Sequence, residues 1–286
     1  MKVGFIGLGI MGKPMCANLL KEGSEVYISS STPSTNEELK QLNANVVDNY
    51  NEVAGNSDVL ILMLPNSQDV YDVVVGNNLY KEMKPGSVVL DMSSITPEMS
   101  RRVAEQLRRV DSDYIDAPVS GGEEKAIEGT LSIMAGGDAG SMEKVKPLLE
   151  IMGGSVTHVG EAGLGNATKL VNQVIVANNI IALSEGVAVA EALGLDLNTM
   201  YDAIKEGLAG SNVMDAKIGR MIDSEYEPGF KLDLHMKDLN NVFESLEGDD
   251  GKLPITSKTK EIMGELIDHG KGNNDHGALY EYYQSP

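Results

Sequence analysis

Cysteine is all but absent: Cys16 is the only one in 286 residues. A single thiol excludes an intramolecular disulfide, and no Cys/His spacing offers a zinc site. Its place in the first predicted helix marks it as a small buried side chain rather than a nucleophile. A reducing cytoplasm is the expected compartment. Positive charge is also scarce, with 23 Lys and Arg against 43 Asp and Glu and a net charge of −20. Nucleic acid needs a basic surface, so it is excluded as a partner. No uninterrupted apolar run approaches the roughly 20 residues that cross a bilayer, so no membrane partner is expected. The opening residues do not read as a leader, because their glycines belong to a turn. Internal repeats and low-complexity tracts are missing too. What remains, 42% hydrophobic residues over this length, suffices for two domains with separate cores.

The most informative segment is Lys2-Val3-Gly4-Phe5-Ile6-Gly7-Leu8-Gly9-Ile10-Met11-Gly12, an apolar strand running into G-x-G-x-x-G. Gly7 permits the tight turn, Gly9 lets a pyrophosphate approach the backbone, and Gly12 lets the next helix lie close on the sheet. The motif alone recurs by chance as a plain βα turn. The strand before it and the amphipathic helix after it (Met15, Leu19, Leu20) favour a dinucleotide. A dinucleotide and a carboxylate substrate are both anions, repelled by the overall charge. Local lysines and backbone N–H groups must therefore bind them.

Strands are predicted near 2–6, 25–29, 58–64, 87–91, 113–117, 130–135 and 155–159. Helices fill the gaps, among them Thr35–Leu42, Gln68–Val75, Pro97–Val110 and Gly140–Met152. This alternation implies an α/β fold with a Rossmann-type, doubly wound, mostly parallel sheet. After Gly163 the pattern turns helical: a long segment from Asn166 to Leu193, then about 197–207, 211–224, 236–247 and 254–270. The boundary is placed near 162, giving a dinucleotide-binding domain over 1–162 and an all-helical substrate and oligomerisation domain over 163–286. The long helix is apolar around much of its circumference (Val171, Val174, Ile175, Ile180, Ile181, Leu183, Val187, Val189) and is expected to be buried by neighbours or a second subunit. Gly248-Asp249-Asp250-Gly251 reads as an exposed loop.

Four further segments are candidates for chemistry in a cleft between these domains. In Asp116-Ala117-Pro118-Val119-Ser120-Gly121-Gly122, the Ser-Gly-Gly turn offers a hydroxyl and open N–H groups to a carboxylate, or is simply a strand exit. Gly163-x-Gly165 starts the long helix, and offsets of three and four put Lys169, Asn172 and Gln173 on one face. A lysine near a helix N-terminus feels positive potential, which favours giving its proton to a carbonyl oxygen. The bland alternative is a solvated lysine beside a packing amide. In Gly229-Phe230-Lys231-Leu232-Asp233-Leu234-His235-Met236-Lys237-Asp238-Leu239, Lys237 can meet an anionic cofactor group, or form a surface ion pair with Asp238. In Met92-Ser93-Ser94-Ile95-Thr96-Pro97, Ser94 can reach the nicotinamide side, and Thr96 reads as an N-cap. Leu64-Pro65-Asn66-Ser67 is a similar strand-exit loop for the cofactor ribose. His158, His235, His269 and His276 show neither ligand spacing nor an acid partner, and the 15 methionines read as core filling.

Together these segments resemble the β-hydroxyacid dehydrogenase family across essentially the whole chain. The opening motif is matched by Gly7 through Leu19, the substrate-binding signature by Asp116–Gly122, the catalytic signature by Gly165 through Lys169 and Asn172, and the C-terminal signature by Lys237-Asp238-Leu239. The resemblance implies Lys169 as general acid, Asn172 as positioning residue, and Ser120, Gly121 and Gly122 as carboxylate binders. Several relatives carry Asn where this chain has Gln173, which leaves either amide as the substrate contact. It also implies a cofactor site over Gly7, Leu8, Gly9, Ile10, Met11, Gly12, Leu64, Pro65, Ser94, Phe230 and Lys237. Leu64–Ser67, Gly207-Leu208-Ala209-Gly210-Ser211 and Asp233–Leu239 resemble most the members that reduce tartronate semialdehyde to glycerate. Siblings acting on 3-hydroxyisobutyrate, succinic semialdehyde or glyoxylate, or a non-catalytic dinucleotide-binding regulator, are the alternatives. After the second strand stand Ser30, Ser31 and Thr32, with neither the carboxylate of an NAD site nor an arginine. Hydroxyls there favour NADP(H), with NAD(H) as the alternative. The expected partners are a small hydroxy acid or semialdehyde and further copies of the chain, as a dimer or tetramer.

Overall fold

A computed structural model describes residues 1–247 and 252–284. It opens with β1 (Lys2–Ile6), α1 (Gly12–Lys21), β2 (Glu25–Ile28), α2 (Pro33–Gln41), β3 (Asn45–Val46), α3 (Tyr50–Asn56), β4 (Val59–Leu62) and α4 (Ser67–Tyr71). Then come β5 (Val88–Asp91), α5 (Pro97–Arg108), β6 (Asp113–Asp116), β7 (Val119–Ser120), α6 (Gly122–Glu128), β8 (Leu131–Gly136), α7 (Ala139–Met152) and β9 (Gly153–Gly160). The strands form one sheet in the order β3-β2-β1-β4-β5-β6-β8-β7, with β9 also on β8. The first six run parallel in the doubly wound order expected of a dinucleotide-binding unit. The sequence reading missed the two-residue strands β3 and β7, which are too short to show a period. It also did not foresee that β8 runs antiparallel to both β6 and β7.

Why the sheet is doubly covered can be read along any central strand. In β4, Val59 and Ile61 face one core, with Met15, Leu19, Val145 and Leu149 of α1 and α7. Leu60 and Leu62 face the other, with Val53 of α3 and Val103 and Leu107 of α5. Alternation therefore gives no polar face, and the strand reads as a continuous apolar run. Cys16 lies in the first of these cores with no exposed surface, and burial pushes its thiol up to about 12, as an inert packing group requires.

The remaining α-helices are α8 (Leu164–Ala192), α9 (Leu197–Ile204), α10 (Asn212–Asp223), α11 (Leu232–Ser245), α12 (Pro254–Leu266) and α13 (Glu281–Gln284), with a π-helical turn over Ile267–Lys271 and a 3-10 turn over His276–Tyr280 between the last two. By contacts the chain divides into Met1–Lys169 and Leu170–Pro286, so the division falls inside α8 rather than before it. The second unit packs Ala177, Ile180, Leu183 and Val187 of α8 against Met214 and Ile218 of α10, Leu239 of α11 and Ile262 of α12. Among the described residues its only β pairing is an isolated bridge between Lys231 and Asp275. The expected loop Gly248-Asp249-Asp250-Gly251 lies outside the described residues.

Within one chain, neighbouring helices bury α8 along one face only. Val171, Ile175 and Val189 are 61%, 55% and 58% exposed. The physical reason is the 3.6-residue period: these positions share a face opposite Ala177, Ile180 and Val187. By length and composition α8 would also suffice to cross a membrane, although no uninterrupted apolar run was found in the sequence; 44% of its most apolar window is buried.

Candidate active site

The glycines of the first turn separate cleanly by what a side chain would meet. Gly7 has φ +96°, and a Cβ there would run into the Met63 carbonyl oxygen. At Gly12 a Cβ would strike the carbonyl oxygen of Gly7, so this glycine closes the turn onto the helix. At Gly9 a Cβ would meet nothing within 4 Å. A glycine with no steric need in the protein itself leaves open backbone where a phosphate can approach, and the chemistry of the turn fits a dinucleotide. Gly9 and Ile10 are exposed, while Leu8 and Met11 are half-buried.

Beside this turn, Thr32 N–H donates to Ser30 Oγ at 3.1 Å and Asn36 Nδ2 donates to the Ser30 carbonyl at 2.8 Å. These bonds fix the loop and leave Ser31 and Thr32 exposed. Across the sheet, Leu64 N–H donates to Ser93 Oγ at 2.9 Å, tying the Leu64-Pro65 loop to the loop that carries the half-buried Ser94. Thr96 caps α5, its Oγ1 accepting from Met99 N–H, as expected. Ser120 closes β7, and the turn after it needs glycine twice: φ is +144° at Gly121 and +71° at Gly122.

The start of α8 is built around a carboxylate that the sequence reading assigned no role. Asp116 ends β6 without exposed surface. Its Oδ1 accepts from Gly163 N–H and its Oδ2 from Asn166 N–H, both at 2.7 Å. Burial pushes the Asp116 carboxyl up to about 7, against the pull of these N–H groups and with a further push from Asp91. Asp91 is its registered neighbour on β5; it accepts from Ser93 N–H at 2.9 Å and from Tyr114 hydroxyl at 2.7 Å. Burial raises the Tyr114 hydroxyl well above the usual tyrosine value. Lys169 follows on α8 and is buried rather than solvated. The free N–H groups of the helix start are turned toward the Asp116 carboxylate.

In the second unit, Asn172 Nδ2 donates to Gln173 Oε1 at 2.9 Å, and Gln173 Nε2 donates to Asp238 Oδ2 at 2.6 Å. Asp238 also pairs with Lys237 Nζ at 2.8 Å. The expected local ion pair therefore exists and continues into a chain of contacts. Phe230 N–H and Gly229 N–H donate to the buried Asp275, which pairs with Lys217 at 2.7 Å. Burial holds the Lys217 ammonium below the usual lysine range, partly offset by Asp275. His235 and His276, which carried no expected role, form a buried Nδ1–Nδ1 pair at 2.9 Å beside the Phe230 ring. A separation of 41 positions between the two histidines left no local signal of that pairing.

A dinucleotide turn on a doubly wound sheet, followed by a helical unit, defines a dinucleotide-binding protein of two units. Residues 2–160 match the NAD-binding domain of 6-phosphogluconate dehydrogenase, and residues 163–283 match the NAD-binding domain of NADP-dependent 3-hydroxyisobutyrate dehydrogenase. The chain is 41% identical over 98% of its length to 2-hydroxy-3-oxopropionate reductase of Escherichia coli, covering 96% of that protein. It is 35% identical over 99% of its length to 2-(hydroxymethyl)glutarate dehydrogenase of Eubacterium barkeri, covering 95% of it. The 3-hydroxyisobutyrate dehydrogenase of Mycobacterium tuberculosis, solved with L-serine, superposes with a TM-score of 0.91 at 27% identity over 99% of both chains. The chain belongs to the β-hydroxyacid dehydrogenase family and is an NAD(P)-dependent oxidoreductase of small hydroxy acids.

Proposed function

We propose that the protein reduces tartronate semialdehyde (2-hydroxy-3-oxopropanoate) to D-glycerate. The observation that carries this reading is the 41% identity over nearly the whole chain to a reductase of that substrate, together with a buried lysine at the start of α8. Gly7 to Gly12, Ser30, Ser31, Thr32, Leu64, Pro65, Ser94, Phe230 and Lys237 hold the dinucleotide, and NADPH is preferred because no carboxylate stands after β2. When bound, the dihydronicotinamide supplies hydride to the aldehyde carbon. Ser120 hydroxyl and the N–H groups of Gly121 and Gly122 hold the substrate carboxylate. Lys169 Nζ gives a proton to the aldehyde oxygen, and Asn172 orients the substrate or the lysine. Gln173 accepts from Asn172 and donates to Asp238, which holds Asn172 in place, and either amide can meet the substrate.

Lys169→Ala should lower kcat at least about a hundredfold while NADPH still binds. Near-normal turnover in that variant refutes the role. Comparing tartronate semialdehyde with 3-hydroxyisobutyrate, succinic semialdehyde and glyoxylate, each with NADPH and NADH, tests substrate and cofactor together. A higher kcat/KM for any of the other three overturns the substrate. The exposed apolar face of α8 supports assembly into a dimer or tetramer. A mass of 30.6 kDa by light scattering, that of one chain, counts against assembly.

A further inference from the structure

The Gly-x-Gly at the start of α8 has a structural reason that involves no substrate. A Cβ on Gly165 would lie 2.6 Å from the Met134 carbonyl oxygen, 2.9 Å from Asp116 Oδ2, and closer still to the Asp116 carbonyl oxygen. One on Gly163, where φ is +92°, would lie 2.8 Å from the Pro97 carbonyl oxygen. Gly163 lets the chain pass close to the first turn of α5, and Gly165 lets the helix start sit directly on the end of β6, where the Asp116 carboxylate takes two N–H groups that have no partner within the helix. From the same turn the buried Asn166 side chain reaches the other way. Its Oδ1 accepts from Ile95 N–H at 3.0 Å, and its Nδ2 donates to Ser100 Oγ at 3.0 Å. The loop it grips is also held by Asp91 through Ser93 N–H, and by Ser93 Oγ to Leu64 N–H.

We infer that Asp116 and Asn166 are positioning residues: they lock the first turn of α8 to the loop carrying Ser93 and Ser94, and thereby set where Lys169 stands. Neither side chain touches substrate, since both are fully buried. Lys169 follows Gly165 by four residues and Asn166 by three, so it stands one turn above the clamp on the same side of the helix. A rigid helix carries any displacement of its first turn to Nζ. The inference rests on the role proposed for Lys169. The charged and titratable groups around Asp116 are Asp91 on the neighbouring strand β5, Tyr114 on β6 itself, Arg101 of α5 beside Gly163, and Lys169 further along α8.

Asp116→Asn keeps the shape but presents an NH2 to one of the two N–H donors. Asn166→Ala removes the grip on Ile95 and Ser100, and serves alone should Asp116→Asn fail to fold. Assayed by NADPH oxidation with tartronate semialdehyde, each variant should lose about ten- to a hundredfold in kcat with little change in NADPH affinity. Amide exchange over residues 163–169 should accelerate in both. The kcat–pH profile of the parent should bend near pH 7, and Asp116→Asn should lose that bend, which a merely structural role would not produce. Lys169→Ala runs in parallel. If that variant is inactive while both clamp variants keep the parent kcat, exchange rates and pH profile, the clamp is refuted. If Lys169→Ala is itself fully active, the general-acid assignment has failed instead, and accelerated exchange in the clamp variants still reports on the lock.

Discussion

Gly165→Ala puts one methyl group where three oxygen atoms of the first unit already stand. Ordinary contact begins at 3.4 Å, whereas the new carbon would lie 2.6 Å from the Met134 carbonyl oxygen, so the helix start must retreat by about 1 Å. Two of the three atoms it meets are backbone oxygens on β6 and β8, in the interior of the sheet, so they cannot give way as a flexible side chain would. Overpacking of this kind costs about 1–3 kcal/mol, which lowers Tm by roughly 3–10 °C in a chain of this size. A displacement of about 1 Å in a catalytic group costs on the order of a hundredfold in kcat. The assay is a thermal melt alongside steady-state NADPH oxidation. Gly219→Ala is the matched control, because it lies within α10 and its Cβ would meet nothing within 4 Å. There the same substitution should stabilise by about 1 kcal/mol through helix propensity alone. A Gly165→Ala protein with parent Tm and kcat would falsify the close seating of α8 on β6.

Gly9→Ala should leave Tm within the error of the melt, because its Cβ meets nothing, yet weaken NADPH binding at least about tenfold by intruding on the pyrophosphate; unchanged affinity in a fluorescence titration removes the turn from the cofactor site. Asp116 makes stability pH-dependent in an unusual direction. Its carboxyl sits near 7 in the native state against 3.8 when solvated, so the folded protein holds the proton more tightly. The stabilisation, up to about 4 kcal/mol, is complete below pH 4 and is lost as pH rises toward 7. Glu25 is held low by the Tyr27 hydroxyl, Asp58 by Lys2 N–H and Asp196 by the Thr199 hydroxyl. These three work in the opposite sense but have already titrated below this window. Melts of the parent should therefore fall in Tm from pH 5 to 7.5 and those of Asp116→Asn should stay flatter; parallel curves exclude the buried carboxylate as the source.

Much of the fold was legible because its signals are local. Continuous apolar strands such as Val59–Leu62 alternate with amphipathic helices, and Thr96 before Pro97 marks a helix start within four residues. The candidate site was legible in part. Lys169, Asn172 and Gln173 announce themselves by helical spacing, and Lys237 with Asp238 by adjacency. Asp116 lay inside a segment singled out for its Ser-Gly-Gly turn and went unnoticed, because its partners, Gly163 and Asn166, are 47 and 50 residues away. Asp275 and the two histidines were missed for the same reason: a polar residue surrounded by ordinary neighbours carries no mark of what it will bond to.

Composition, period and the glycine spacing were enough to determine a dinucleotide turn, a doubly wound sheet and a helical second half, since each depends on residues within a turn or two of one another. Which glycines serve the chain and which serve a ligand, which buried carboxylate caps α8, and which face of that helix stays exposed were decided only by tertiary packing. Steric contact and burial are relations between segments distant in sequence, and no local pattern of residue types encodes the distance between them.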